Sequence, residues 1–190
     1  MKIYLIRHAK IETTEEVVQG TVDPIVNDDE TIAGIKRAQL EVVNPDNIYC
    51  SELIRAKQTA GLIFPDRADV VYTPLINEYV RPSRFIGASK AELVQFWEDH
   101  KNDKYDPDWK PEDGESYAEI ADRAALFHKL LLEDKEKGCK TVAVVAHGTF
   151  FRHLACSLTG MLEWRSNPRI VIDLLRKFPW NHLEVKEFEI

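Results

Sequence analysis

Apolar residues follow two rhythms along this chain. Short unbroken runs, Ile3-Tyr4-Leu5-Ile6 near the start and Val142-Ala143-Val144-Val145-Ala146 near the end, read as strands buried on both faces, whereas longer stretches with apolar positions three or four apart read as helices. The first strand is expected over about residues 2 to 7, followed by a polar loop with Gln19-Gly20 and Asp23-Pro24. A helix from about Thr31 to Val43 comes next, with Thr31 as its N-cap and Ala33, Ile35, Ala38, Leu40 and Val42 as its apolar residues. Asn47-Ile48-Tyr49-Cys50-Ser51 predicts a second strand, leading into a helix from about Glu52 to Phe64 that Pro65 stops. Asp69-Val70-Val71-Tyr72 predicts a third strand.

The rhythm breaks between Asn77 and Gly114. There Pro82, Pro107, Pro111 and charged clusters surround one helical stretch, about Ser89 to His100, with Leu93, Phe96 and Trp97 on one face. This apolar content is too small for a core of its own, so the segment reads as a cap-like insertion at about 77–114, over the sheet edge of a single domain spanning 1–190. Ser116-Tyr117-Ala118-Glu119 matches a capping box and opens a long helix to about Lys137, ended by Gly138. A fourth strand at about 140–146 precedes a helix at about 149–160 that stops at Gly160. Arg169 to Arg176 and His182 to Ile190, around Phe178-Pro179-Trp180-Asn181, read as two final strands in a hairpin-like pair. Strands alternating with helices imply βαβ units, hence a three-layer α/β/α sandwich with a mostly parallel central sheet. No internal repeat is present.

Composition narrows the class. With 190 residues, 44% hydrophobic and 30% charged, the chain is ordinary globular protein. A formal charge of -7 without a Lys/Arg-rich block argues against nucleic acid as the main partner. No apolar run approaches the roughly 18 residues of a membrane span. The four-residue apolar run before Arg7-His8-Ala9-Lys10 is too short for a secretory signal, and the protein is read as cytoplasmic. Cys50, Cys139 and Cys156 are widely spaced and read as buried free thiols. Nothing in the sequence assigns an oligomeric state.

Parallel sheets gather their chemistry at the C-terminal edges of the strands. The first strand delivers Arg7-His8 to that edge, and the fourth delivers His147-Gly148. Arg55 lies on the first turn after the second strand, and the third leads through Thr73-Pro74-Leu75-Ile76 to Glu78. Arg7, His8, Arg55, Glu78 and His147 thus converge from different strand ends, where forked guanidinium donors suit a charge-diffuse anion such as a phosphoryl group. Glu52 is a second candidate acid near a strand end. His100, His128, His153 and His182 lack such company and read as structural or surface residues.

Leu5-Ile6-Arg7-His8-Ala9, Ser51-x-Leu53-x-Arg55-Ala56-x-Gln58-Thr59-Ala60, Leu75-x-x-Glu78 and Ala146-His147-Gly148 together resemble the histidine phosphatase superfamily, which includes cofactor-dependent phosphoglycerate mutases and many phosphatases. The resemblance covers residue 2 to about 160. It implies that His8 attacks phosphorus and forms a phosphohistidine, that Arg7, Arg55 and His147 stabilise the equatorial oxygens, and that Glu78 protonates the leaving oxygen and then deprotonates water. Backbone amides at Gly148 and Thr149 would add anion donors at a helix N-terminus. Neither a metal nor another cofactor is implied.

The family's first motif commonly continues with Gly, Thr and Asn where this sequence has Ala9, Ile11 and Thr14. Ile11 removes a hydroxyl and Thr14 reaches less far than Asn, although Gln19-Gly20 matches the next family feature, so Thr14, Gln19 and Gly20 remain substrate-binding candidates. Tyr79-Val80-Arg81-Pro82-Ser83-Arg84-Phe85 places Arg81 and Arg84 directly after Glu78, which fits an acidic or multiply phosphorylated substrate. Gly114-Glu115-Ser116 resembles a segment of the mutase-like branch, but its capping role accounts for it. The sequence therefore favours a metal-independent phosphatase acting on a small phosphorylated metabolite. A phosphoglycerate mutase-type transfer and a non-catalytic phosphate-binding module of the same fold are the alternatives. A serine hydrolase is not indicated, because no Gly-x-Ser-x-Gly elbow is present.

Overall fold

The unbroken apolar runs become the middle of a five-stranded sheet in the computed structural model, which describes residues 1–12, 18, 20, 23–160 and 179–190. Its strands are β1 (Lys2–Arg7), β2 (Asn47–Ser51), β3 (Val71–Thr73), β4 (Thr141–Ala146) and β5 (Val185–Glu189), in the order β3-β2-β4-β1-β5. The β1/β4, β2/β4 and β2/β3 pairs are parallel, and β5 runs antiparallel to β1 at one edge. Both faces are covered, because alternate residues of β1 and β4 serve two cores. Ile3, Leu5, Val142 and Val144 pack with Phe127 and Leu131 of α4 (Tyr117–Glu136) and Phe150 and Leu154 of α5 (Gly148–Leu158). Tyr4, Ile6, Ala143 and Val145 pack with Ile35 and Ala38 of α1 (Asp29–Glu41) and Ala56 and Ala60 of α2 (Ile54–Ile63). The three-layer, mostly parallel architecture is therefore the one the sequence predicts.

Element ends show where pattern reading slipped. The helix expected from Thr31 begins at Asp29, because Asp28 is the N-cap: its carboxylate accepts the Thr31 backbone N–H at 2.7 Å. Thr31, Gly34, Ile35 and Ala38 form the buried stripe, while Ala33 is exposed and Leu40 is 82% exposed. Leu40 lies two residues beyond Ala38, on the opposite side of a 3.6-residue turn. Gly34 is required by packing, since a Cβ there would meet Leu183 Cδ1 at 2.6 Å. The capping box expected at Ser116 is formed, and a second one, at Ser89, opens α3 (Lys90–Asp99). Cys50 and Cys156 are buried, but Cys139 is partly exposed at the start of β4. Of the expected C-terminal strand pair, residues 182–190 supply β5, and residues 169–176 lie outside those described.

The segment after Glu78 builds its own small apolar cluster, in which Val18, Phe85 and Phe96 pack with Leu93, Trp97 and Trp109. Two backbone bonds tie it to Val18, whose N–H donates to Ala88 O at 2.9 Å and whose carbonyl accepts from Gly87 N at 3.1 Å. Among the described residues no helix is long and apolar enough to cross a membrane.

Candidate active site

His8 stands just past the end of β1, where its backbone N–H extends the parallel ladder by donating to Ala146 O at 3.0 Å. Its Nδ1 lies 2.7 Å from Ala9 O. A carbonyl accepts only, so Nδ1 carries the proton and Nε2 keeps its lone pair. Burial, reinforced by His147 and the Arg55 charge, pushes the imidazole well below its ordinary value and keeps it neutral at neutral pH. The loop is pinned from below: Ala9 N donates to Thr59 Oγ1 at 3.0 Å, and that hydroxyl donates to Arg55 O at 2.7 Å.

The rings of His147 and His182 lie 5.0 and 5.1 Å from that of His8. His147 Nε2 is 2.7 Å from Ser51 Oγ, and this hydroxyl donates to Asn77 Oδ1 at 2.7 Å. The Glu52 backbone N–H donates to the same Asn77 oxygen at 3.0 Å, which fixes the amide's orientation. With the Ser51 proton committed to Asn77, Nε2 must be the donor to Ser51, and the neutral ring then has a bare Nδ1. That Nδ1 is buried and has no hydrogen-bond partner among the described residues. Burial, then Arg55 and Arg7, hold His147 well below the ordinary histidine value. His182 donates from Nδ1 to His8 O at 3.0 Å, and burial, then the Arg7 charge, pushes it down to about 4.

The two arginines are braced by carbonyls, Arg7 by Trp180 O and Arg55 by Gly20 O at 2.7 Å, and each leaves a buried Nε with no hydrogen-bond partner among the described residues. Gly148 packs against the first: a Cβ there would sit in ordinary contact, 3.4 Å from Arg7 Nε. Glu78 is the N-terminal anion of α5. It accepts from Phe150 N at 3.2 Å and Thr149 N at 3.3 Å, besides Tyr79 N at 2.9 Å. Burial raises its pKa, but the Arg81 charge and the Tyr79 and Thr149 amides outweigh that and leave it below the ordinary carboxylate range. The Thr149 amide expected to face a substrate anion is thus engaged by Glu78. Glu78 is itself held by its loop: Glu115 pairs with Arg123 at 2.7 Å, and Arg123 donates to Leu75 O and Asn77 O.

Of these groups Arg7 and Glu78 line a cleft of about 330 Å³ together with Arg81, Gly148, Thr149 and Arg152, while His8, Arg55 and His147 are buried and do not form part of its lining. Val18 and, from α3, Lys90, Leu93 and Val94 also line it. Arg84 does not join them: it pairs with Glu112 at 2.8 Å and covers the Phe85 ring. Glu52 is exposed and is not part of the lining. Thr14 and Gln19 lie outside the described residues. Sequence reasoning gave no role to Ser51, Lys90 or Arg152 and read His182 as a structural or surface residue, whereas its ring lies beside His8. Arg152 carried a usable signal, because it is four residues after Gly148 and so lies on the same side of α5. No comparable signal marked Lys90 or His182, which reach the site only through packing.

The family model for the histidine phosphatase superfamily (branch 1) matches residues 3–175. The chain is 29% identical over 176 residues to the adenosylcobalamin/alpha-ribazole phosphatase of Escherichia coli (strain K12), covering 85% of this chain and 80% of that protein. It is also 29% identical over 199 residues to a 2,3-bisphosphoglycerate-dependent phosphoglycerate mutase of Arthrobacter sp. (strain FB24), covering 85% and 79%. Among solved structures, the alpha-ribazole phosphatase from Shigella flexneri superposes with a TM-score of 0.73 at 22% identity, over 100% of this chain and 91% of that one.

Proposed function

The chain belongs to the histidine phosphatase superfamily, and on that premise we propose that it hydrolyses a small phosphorylated metabolite with His8 as transient phosphoryl acceptor. The observation that carries the reading is the Nδ1–H bond from His8 to Ala9 O, which leaves a neutral imidazole with Nε2 unprotonated. In this reading the Nε2 lone pair attacks phosphorus opposite the leaving oxygen, and the P–O bond breaks as the P–N bond forms. Arg7, Arg55 and His147 stabilise the equatorial oxygens, each such donor typically worth about 2.7–4 kcal/mol. Side chains then supply the positive charge that a metal ion brings to other phosphoryl-transfer sites.

Glu78 supplies the proton for the leaving group. It is ionised in the empty site, held by the Arg81 charge and the Tyr79 and Thr149 amides against the upward push of burial. A phosphate anion beside it opposes that charge, so Glu78 takes up a proton on binding and passes it to the departing oxygen. The resulting carboxylate deprotonates water, which attacks phosphorus, breaks the P–N bond and frees inorganic phosphate.

The test is turnover of phenyl phosphate in the presence of a chelator. Phosphate release is expected, together with an acid-labile, alkali-stable phosphoprotein, and His8→Ala should lose both. Activity that vanished with the chelator and returned with added metal would overturn the mechanism. A panel of phosphorylated metabolites, with and without a bisphosphorylated primer, separates water from a second hydroxyl as acceptor: phosphate release without isomerisation is expected, and primer-dependent isomerisation would make the protein a mutase.

A further inference from the structure

The peptide between His8 and Ala9 decides where the His8 ring points, because the ring's own hydrogen bond is to Ala9 O, at 2.7 Å. As far as His8 N the main chain is held by backbone partners: Arg7 N donates to Glu184 O, Arg7 O accepts from Leu183 N, and His8 N donates to Ala146 O. At the next peptide the ladder has ended, and side chains take over both polar groups. Ala9 N donates to Thr59 Oγ1 at 3.0 Å, and His8 O accepts from His182 Nδ1 at 3.0 Å. The C=O and N–H of a trans peptide point to opposite sides of one plane, so Thr59 on α2 and His182 pin that plane from two directions.

The segment carrying His182 is fixed in its turn. Asn181 O accepts from Glu184 N at 3.2 Å, and the Glu184 carboxylate accepts from Asn181 N at 2.7 Å, which closes a tight turn over residues 181–184. Within it Leu183 has a φ of 58°, a left-handed conformation that a residue with a Cβ adopts only at a cost. Glycine would adopt it freely, but Leu183 is buried against α1 so closely that one carbon added to Gly34 would lie 2.6 Å from its Cδ1. The buried leucine locks the strained turn, and the turn gives His182 a single approach to His8 O. The His182 ring lies 5.1 Å from the His8 ring, tilted by 56°. Burial and the Arg7 charge keep it neutral, so it adds no positive charge beside the nucleophile.

Building on the reading of His8 as phosphoryl acceptor, we infer that His182 is a positioning residue: its Nδ1–H, opposite Thr59, fixes the His8–Ala9 peptide and thereby the direction and tautomer of the His8 ring. It acts through His8, not on the substrate. Without it His8 O loses its donor, the plane turns about the Thr59 bond, and Nε2 no longer meets phosphorus in line. Rate suffers more than binding, because the arginines that hold the phosphoryl group are braced independently by Trp180 O and Gly20 O.

The test compares three variants. His182→Ala removes the side chain, His182→Phe keeps a ring without the donor and serves should the first fail to fold, and His182→Asn can donate from the place of Nδ1. With phenyl phosphate, the Ala and Phe variants should lower kcat about tenfold or more and change KM less than about threefold. His182→Asn should return kcat to within about threefold of the unsubstituted protein, whatever its melting temperature. A kcat retained without the donor, or a loss that His182→Asn does not restore, overturns the inference. Histidine 15N spectra need no turnover: His8 should be a single tautomer, protonated on Nδ1, in the unsubstituted and Asn proteins and a mixture in the other two. One unchanged tautomer throughout also overturns it. Mixed tautomers in those two, with no turnover of phenyl phosphate by the unsubstituted protein, uphold the positioning role and remove the phosphatase reading.

Discussion

Ser51 sets the protonation pattern of His147. Its hydroxyl gives its proton to Asn77 Oδ1 and accepts from His147 Nε2, so the ring can offer a proton to a phosphoryl oxygen from Nδ1 only when it becomes imidazolium. Ser51→Ala leaves Nε2 buried without an acceptor, at a cost of about 1–3 kcal/mol. Since this cost falls on the charged ring, kcat for phenyl phosphate should drop about tenfold or more while KM changes less than about threefold. A matched rise in KM with kcat preserved would assign Ser51 to ground-state binding instead. The motif around Ser51 was legible as a unit because its members are neighbours in sequence, although the groups they hold are remote: Gln58 accepts from Ile25 N, Thr59 from Ala9 N, and Arg55 donates to Gly20 O. Lys90 was hidden because its approach to the cleft depends on how α3 sits over the sheet edge, which no local spacing states, whereas the spacing of Arg152 from Gly148 on α5 did signal it. Arg84 was over-read for the converse reason. Its nearness in sequence to Glu78 says nothing of Glu112, which lies 28 residues away and captures it.

At the scale of elements, the segment between Glu78 and α4 is fastened at Gly114. A Cβ there would lie 2.9 Å from both Pro111 O and Val80 O and 3.0 Å from Pro82 N, all of them backbone atoms that cannot rotate away. Gly114→Ala must therefore displace the chain that leads from Glu78 and that Glu115 ties through Val80. Overpacking of this kind typically costs about 1–3 kcal/mol. The expected outcome is a lower melting temperature together with a kcat for phenyl phosphate reduced about tenfold, the shift reaching Glu78 itself. Unchanged kcat with lowered stability would separate the anchor from the acid. Helix starts here were readable where a Ser stands three residues before a Glu, as at Ser89 and Ser116, because both partners of the reciprocal bond are written in the sequence. The start of α1 was not, since Asp28 and Thr31 are both good caps and the choice fell to Asp28. The unbroken apolar runs of β1 and β4 gave the sheet most directly, because burial on both faces leaves no polar position in the middle of either strand.

For the molecule as a whole, the concentration of neutral buried histidines makes stability depend on pH. Burial pushes His153 down to about 3, and His182 falls to about 4, while His8 and His147 are also lowered by burial and neighbouring positive charge. In the unfolded chain all four titrate near 6.5, so below that pH the unfolded state binds protons that the native state refuses. Their contribution to stability is therefore present above about pH 6.5 and is lost as pH falls toward the folded values. For His153 alone the loss between pH 7 and pH 5 is roughly 2 kcal/mol, with His182 adding somewhat less because it is partly solvated. The carboxylates held low, Glu78 among them, contribute a stability that is present across this window and is lost only as pH falls below their ordinary range, and the raised Tyr49 and Cys50 titrate far above neutrality, so histidines govern this window. Urea unfolding at pH 7, 6 and 5 should show a progressive loss exceeding about 3 kcal/mol, and His153→Phe should make the curve shallower. A curve flat across this range would mean that the buried rings accept protons in the native state. Inorganic phosphate should restore part of the loss, because an anion beside His8 and His147 lets the folded protein bind a proton that the empty site rejects.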